Sequence, residues 1–138
     1  MPAKDIYHDT VKRALIKDGW KITAENLHLP WGGTNLYVDL GAEKVFIAEK
    51  KGQKIAVEVK SFSGRSEMVE LEKSLGQFFL YRFALRRDYP DRELFLAIRR
   101  DVYERIFLTP DGVGLIETEN LKIIVFDEIK EELVRWIS

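Results

Sequence analysis

Residues 55–60 read Ile-Ala-Val-Glu-Val-Lys, and this stretch limits the possible folds more than any other. In an extended strand alternate residues share a face, so Glu58 and Lys60 project together while Val57 and Val59 enter the opposite layer. The polar run Lys50-Lys51-Gly52-Gln53 suits a hairpin to a partner strand, Val45-Phe46-Ile47-Ala48, which makes two antiparallel central strands. A long helix follows over 66–87, with Ser66 as N-cap and Met68, Leu71, Leu75, Phe78, Phe79 and Arg82 spaced by three or four. On a solvated strand face Glu58 and Lys60 would be ordinary. On a central strand beneath a helix they are costly unless paired or used.

The remaining chain fits one layered fold. Tyr7, Val11, Ala14 and Leu15 share a face and Gly19 stops the run, predicting a helix over 4–18. Trp20 to Ala24 alternates as a short strand; Pro30, Gly32 and Gly33 mark a loop; Tyr37-Val38-Asp39-Leu40 returns to strand. Leu94 to Ile98 reads as a buried strand, and Asp101 with Glu104 resembles a capping box opening a short helix through Phe107. Leu121 to Phe126 is a further strand and Ile129 to Ile137 a closing helix. The order α-β-β-β-α-β-α-β-α implies an α/β fold with a mixed sheet between helical layers. With 138 residues and no repeat or linker, the whole of 1–138 is expected to be one domain.

Composition narrows the chemistry. There is no cysteine, so a bound metal would need carboxylate, imidazole, carbonyl or water ligands, which favours a hard cation. No apolar run reaches the length of a membrane span and no signal peptide opens the chain, so a cytoplasmic protein without a membrane partner is expected. Residues 1–60 carry ten Lys and Arg against eight Asp and Glu, and residues 61–138 twelve against fifteen, too even a split to mark a nucleic-acid surface.

Eighteen residues separate Asp39 from Glu58-Val59-Lys60. If it ends the neighbouring strand, two carboxylates converge beside an ammonium. Such a pair of hard oxygen donors suits Mg²⁺ or Mn²⁺, and Lys60 could then orient or deprotonate an attacking water. On the long helix Gln77 and Tyr81 lie four apart with Lys73 one turn earlier, a polar stripe off the core face. His8 lies at the margin of the apolar face of the first helix, where it is either a packed histidine or a metal ligand. The Trp31-Gly32-Gly33 loop and helix 66–87 are candidate contact surfaces. On the expected final helix, Glu128, Glu131 and Glu132 beside Trp136 and Ile137 have the make-up of a protein-binding patch.

Asp39, Glu58-x-Lys60, a preceding helix with a candidate ligand and a following helix with Gln77-x-x-x-Tyr81 resemble the PD-(D/E)xK nuclease superfamily, whose core is α-β-β-β-α-β. Val38 stands where the superfamily name has proline. The resemblance implies a restriction-endonuclease-like, three-layer α/β/α fold with a central mixed sheet. It also implies that Asp39, Glu58, the Val59 carbonyl and His8 hold the metal, that Lys60 and Gln77 serve catalysis, and that Lys73, Gln77 and Tyr81 lie toward DNA. Longer strings are similar to the XisH family of cyanobacterial fdxN-element excision controlling factors: Asp5-Ile6-Tyr7-His8-Asp9, Leu15 to Trp20, Tyr37 to Glu43, Gly52 to Phe62 and Leu75-Gly76-Gln77. This implies an accessory role beside a site-specific recombinase in excising a DNA element, with a companion protein, XisI; the oligomeric state stays open, a homo-oligomer included. Two functions are compatible with that resemblance. One is metal-dependent hydrolysis of DNA phosphodiesters; the other is a catalytically silent, endonuclease-like module that binds XisI or a recombinase.

Overall fold

The computed structural model describes residues 5–44 and 52–138. Its elements are helix α1 (His8–Lys17), strands β1 (Lys21–Trp31), β2 (Thr34–Lys44) and β3 (Gln53–Val59), helix α2 (Glu67–Asp88) and strand β4 (Arg92–Arg99). A short helix α3 (Arg100–Val102) runs into a π-helical turn, Tyr103–Phe107, followed by helix α4 (Pro110–Glu119) and strands β5 (Ile123–Asp127) and β6 (Glu132–Ile137). The strands form one sheet in the order β1-β2-β3-β4-β5-β6. The pairs β3–β4 and β4–β5 are parallel, while β1–β2, β2–β3 and β5–β6 are antiparallel. The fold is therefore mixed α/β.

Two cores line the faces of this sheet. Val11 and Leu15 of α1 pack with Trp20, Leu40, Ile55, Val57, Val59, Phe95, Ala97, Ile124 and Phe126 on one face. Leu71, Phe78, Ala84 and Leu85 of α2, with Val102, Tyr103 and Phe107, cover Ala56, Leu94, Leu96, Ile98, Ile123 and Val125 on the other. Ile55, Val57 and Val59 alternate with Ala56, Glu58 and Lys60 as the period of two requires, so the charged pair faces α2. Helix α2 begins as expected, Ser66 Oγ accepting from Val69 N–H at 3.3 Å. Met68, however, is exposed instead of belonging to its core face. No helix among the described residues is long and apolar enough to cross a membrane.

The hairpin β1–β2 departs from strict alternation where the site is built. Glu25 pairs with Leu40 and Leu27 with Val38. Leu40 packs in the α1 layer and Glu25 bonds to His8 and Lys12 of α1, yet Leu27 and Val38 belong to the α2 layer. Residues two apart would share a face in a regular strand. The inversion falls at Asn26, which adopts φ 56°, a left-handed conformation that asparagine tolerates. Asp39 is the residue of β2 between Leu40 and Val38, so the kink turns the strand over at the candidate catalytic carboxylate.

Four expectations are corrected. The closing helix over 129–137 is strand β6: Asp127 Oδ1 accepts from the N–H groups of Ile129 and Lys130, both at 2.9 Å, and Glu131 at φ 55° reverses the chain onto β5. Helix α4 was not anticipated. Asp101 does not cap a helix, because its carboxylate pairs with Arg105 at 3.1 Å and Arg99 at 3.4 Å. The short strand ending at Ala24 continues to Trp31. The expected strand Val45 to Ala48 lies outside the described residues; β3 pairs with β2 from Lys44↔Gln53 to Leu40↔Val57.

Candidate functional site

The site begins at the end of β3, where its pairing with β2 stops. Beyond Leu40↔Val57, Asp39 replaces ladder bonds with side-chain bonds. Its Oδ2 accepts from Val59 N–H at 2.7 Å and its own N–H donates to Glu58 Oε1 at 3.3 Å. Glu58 Oε2 lies 3.4 Å from Lys60 Nζ. Lys60 is fixed on the other side by its N–H, which donates to Ala97 of β4 at 3.1 Å. The three residues singled out by spacing thus form one continuous constellation.

Its electrostatics are those of a carboxylate pair short of positive charge. Burial first, and then the neighbouring Asp39, push the Glu58 carboxyl up to about 8 against the pull of Lys60. Burial also raises Asp39, while the Val59 N–H, Glu58, His8 and Lys60 draw it down. Without a cation the dyad as a pair therefore keeps a proton to higher pH than two ordinary carboxyls would. Tyr81 of α2 is pushed up to about 12, first by burial and then by the charges of Glu58 and Asp39. Gln77, one turn earlier, keeps its buried Oε1 without a hydrogen-bond partner. Lys73 is exposed.

His8 is 1% exposed, with Nε2 3.1 Å from Glu25 Oε1 and Nδ1 buried without a partner. Val59 enters through its N–H; its carbonyl is the group the nuclease resemblance assigns to a metal. Asp39, half-buried, and Glu58, buried, offer a hard divalent cation two neighbouring carboxylates, whereas the ligand atoms of His8 lie within 4.8 Å of those of Asp9 and Glu25.

Several supporting residues carried no sequence signal. Asp5 Oδ2 accepts from Ser61 N–H and Arg99 donates to the Ser61 carbonyl, each at 2.9 Å, clamping the chain just after Lys60. Glu25 sits in the irregular part of β1, where alternation could not single it out. The proposed binding patch at the C-terminus does not form. Trp136 stacks on Trp20 at 5.5 Å and meets Phe95 edge-on at 5.0 Å, and Glu131 pairs with Arg13 at 2.6 Å.

The pH dependence of stability follows from the dyad. Glu58 binds its proton more tightly folded than unfolded, so its contribution to metal-free stability is fully present below about 4.5, its ordinary value, and is lost as pH rises through about 8. Urea unfolding in chelator should show this decline for the wild type, and Glu58→Gln should remove a large part of it. Parallel curves for the two proteins would show that Glu58 titrates normally.

The model of the XisH protein family matches residues 1–134. The chain belongs to the XisH family. A crystal structure of an XisH family protein from Nostoc punctiforme PCC 73102 is similar at 40% identity with a TM-score of 0.86, covering 97% of this chain and 100% of that one. The structure of an fdxN element excision controlling factor protein from Anabaena variabilis is similar at 41% identity and a TM-score of 0.85, covering 98% and 100%. No curated protein matches the chain. In this XisH family chain Asp39, in the middle of β2, meets Glu58 and Lys60 where the pairing of β2 with β3 ends.

Proposed function

We propose that this XisH protein is a Mg²⁺- or Mn²⁺-dependent endonuclease of PD-(D/E)xK type that hydrolyses DNA phosphodiesters during excision of a DNA element. The observation that carries the reading is half-buried Asp39 bonded beside buried Glu58, with Lys60 Nζ 3.4 Å from Glu58. Asp39, Glu58, the Val59 carbonyl and His8 would hold the cation, which when bound supplies Lewis-acid polarisation of the phosphate and a more acidic water. Lys60 orients the attacking water and offsets charge developing on the phosphate. Gln77, whose buried Oε1 has no hydrogen-bond partner, would order the Lys60 ammonium or the phosphate, and Tyr81 remains a protonated phenol able to donate toward a phosphate oxygen. Lys73 and the hairpin tip at Trp31, which packs edge-on against Phe83 at 5.6 Å, supply contacts to the DNA.

The name printed for the Anabaena variabilis neighbour supports placing this activity in element excision. We assign it a XisI-like companion and a site-specific recombinase as partners. Purified protein incubated with supercoiled and single-stranded DNA should cut or nick in Mn²⁺ or Mg²⁺ and not in chelator. Intact DNA under all metals, with or without the companion, would leave a silent binding module as the function.

A further inference from the structure

We propose that the cavity under the last turns of α2 is a phosphate-binding site in which Arg82 and Arg86 hold the anion. The cavity has a volume of about 300 Å³ and lies between α2, the start of β4 and the chain entering β5. Arg82, Arg86, Arg92 and Lys122 line it, and Glu93 is the one carboxylate among the described lining residues. That carboxylate already pairs with Lys122 at 3.3 Å. Phe78, Leu85 and Leu94, all buried, supply the apolar part of the wall, and beside such a wall an ionic contact is screened less than in open water. No residue of the cavity belongs to the Asp39–Glu58 site. Arg92 pairs with Lys54, four residues before Glu58 on β3, which puts the cavity roughly 13 Å along the sheet from Glu58.

Arg82 is held in place by groups that carry no charge. Its Nη1 donates to the Glu119 and Asn120 carbonyls at 3.2 and 3.4 Å, and its guanidinium lies 5.4 Å from the centre of the Phe78 ring and 5.0 Å from that of Phe79. These contacts orient the fork and leave its Nε and Nη2 edge without a hydrogen bond among the described residues. Arg92 is anchored to the Ile55 carbonyl at 2.9 Å and the Thr23 hydroxyl at 3.2 Å. Arg86 is exposed and makes no ion pair or hydrogen bond among the described residues. It is not needed to close the helix end, where Arg87 bonds to Asp88 and to the Pro30 carbonyl. Burial first and then the charge of Arg86 hold Arg82 below the usual arginine range, against the pull of Glu119. Like charges that line one cavity are relieved by an anion with several oxygens. A phosphate does this better than a carboxylate, because it offers oxygens to more than one guanidinium and each planar fork can take two of them.

The probe is pyrophosphate, titrated calorimetrically at fixed ionic strength and in chelator, so that no cation draws the anion to the Asp39–Glu58 site. The full chain should bind it saturably, one per chain. Arg82→Gln, which can still donate to the Glu119 carbonyl, and Arg86→Ala should each weaken binding about 10-fold, and Arg86→Glu should abolish it with an unchanged melting curve. Glu58→Ala should bind as wild type does, so the outcome is independent of the nuclease reading. A short duplex DNA, titrated under the same conditions, distinguishes the two sources of the phosphate. If Arg86→Glu weakens DNA and pyrophosphate alike and the two compete, the site takes a backbone phosphate; if it loses pyrophosphate and keeps its affinity for DNA, the site takes a free phosphorylated small molecule. Either result supports the site. Pyrophosphate that does not saturate, equal affinity in Arg86→Glu, or binding lost in Glu58→Ala overturns it.

Discussion

Lys60→Ala and Glu58→Ala should each lower the proposed metal-dependent DNA cleavage by about 10³-fold or more, but for different reasons. Lys60 Nζ shares Glu58 Oε2 at 3.4 Å, so its removal takes away the group that orients water and offsets charge while freeing the carboxylate it held. Mn²⁺ should therefore still bind to Lys60→Ala, at least as tightly as to wild type. Lys60→Arg should not rescue, because a planar fork cannot replace a compact ammonium in that position. Glu58→Ala removes one of two anionic ligands and should lose both cleavage and Mn²⁺ binding. Cleavage and titration on the same preparations separate the cases, with thermal unfolding as the check on folding. Cleavage that survives both substitutions would come from another nuclease.

Trp136→Ala should cost about 3 kcal/mol of stability and lower the urea midpoint by about 1–2 M. Its indole stacks on Trp20 at 5.5 Å and meets Phe95 edge-on at 5.0 Å, bridging β6, β4 and the chain between α1 and β1. The loss is that of a packed aromatic cluster. An unchanged urea midpoint would mean that Trp136 contributes to something other than the fold.

The elements most legible in the sequence are those with local causes. Alternation from Ile55 to Lys60 fixes strand β3 and the face of Glu58, and Ser66 with the apolar spacing after it fixes α2. What failed depends on long-range packing. Ile129, Leu133, Trp136 and Ile137 have helical spacing, but the Asp127 turn and Glu131 at φ 55° return the chain to β5, where pairing outweighs propensity. Pro110, Gly112 and Gly114 argue against a helix, yet Thr109 caps α4 and Pro110 opens it. Gly112 is required there, because a Cβ would lie 2.2 Å from the Ile106 carbonyl. Within the site, Asp39, Glu58, Lys60, Gln77 and Tyr81 could be read from spacing and resemblance. The kink at Asn26 and the contact between His8 and Glu25 could not, since a single left-handed residue in a strand leaves no periodic trace.

The central claim is that Asp39 and Glu58 form a metal site. It is tested most directly by soaking crystals of the wild type in Mn²⁺ at pH 8, where the Glu58 proton is most readily displaced, and recording anomalous diffraction. The expected result is one strong peak about 2.0–2.2 Å from carboxylate oxygens of both Asp39 and Glu58, absent in Glu58→Ala. No peak there, or density only beside His8, Asp9 and Glu25, would contradict it.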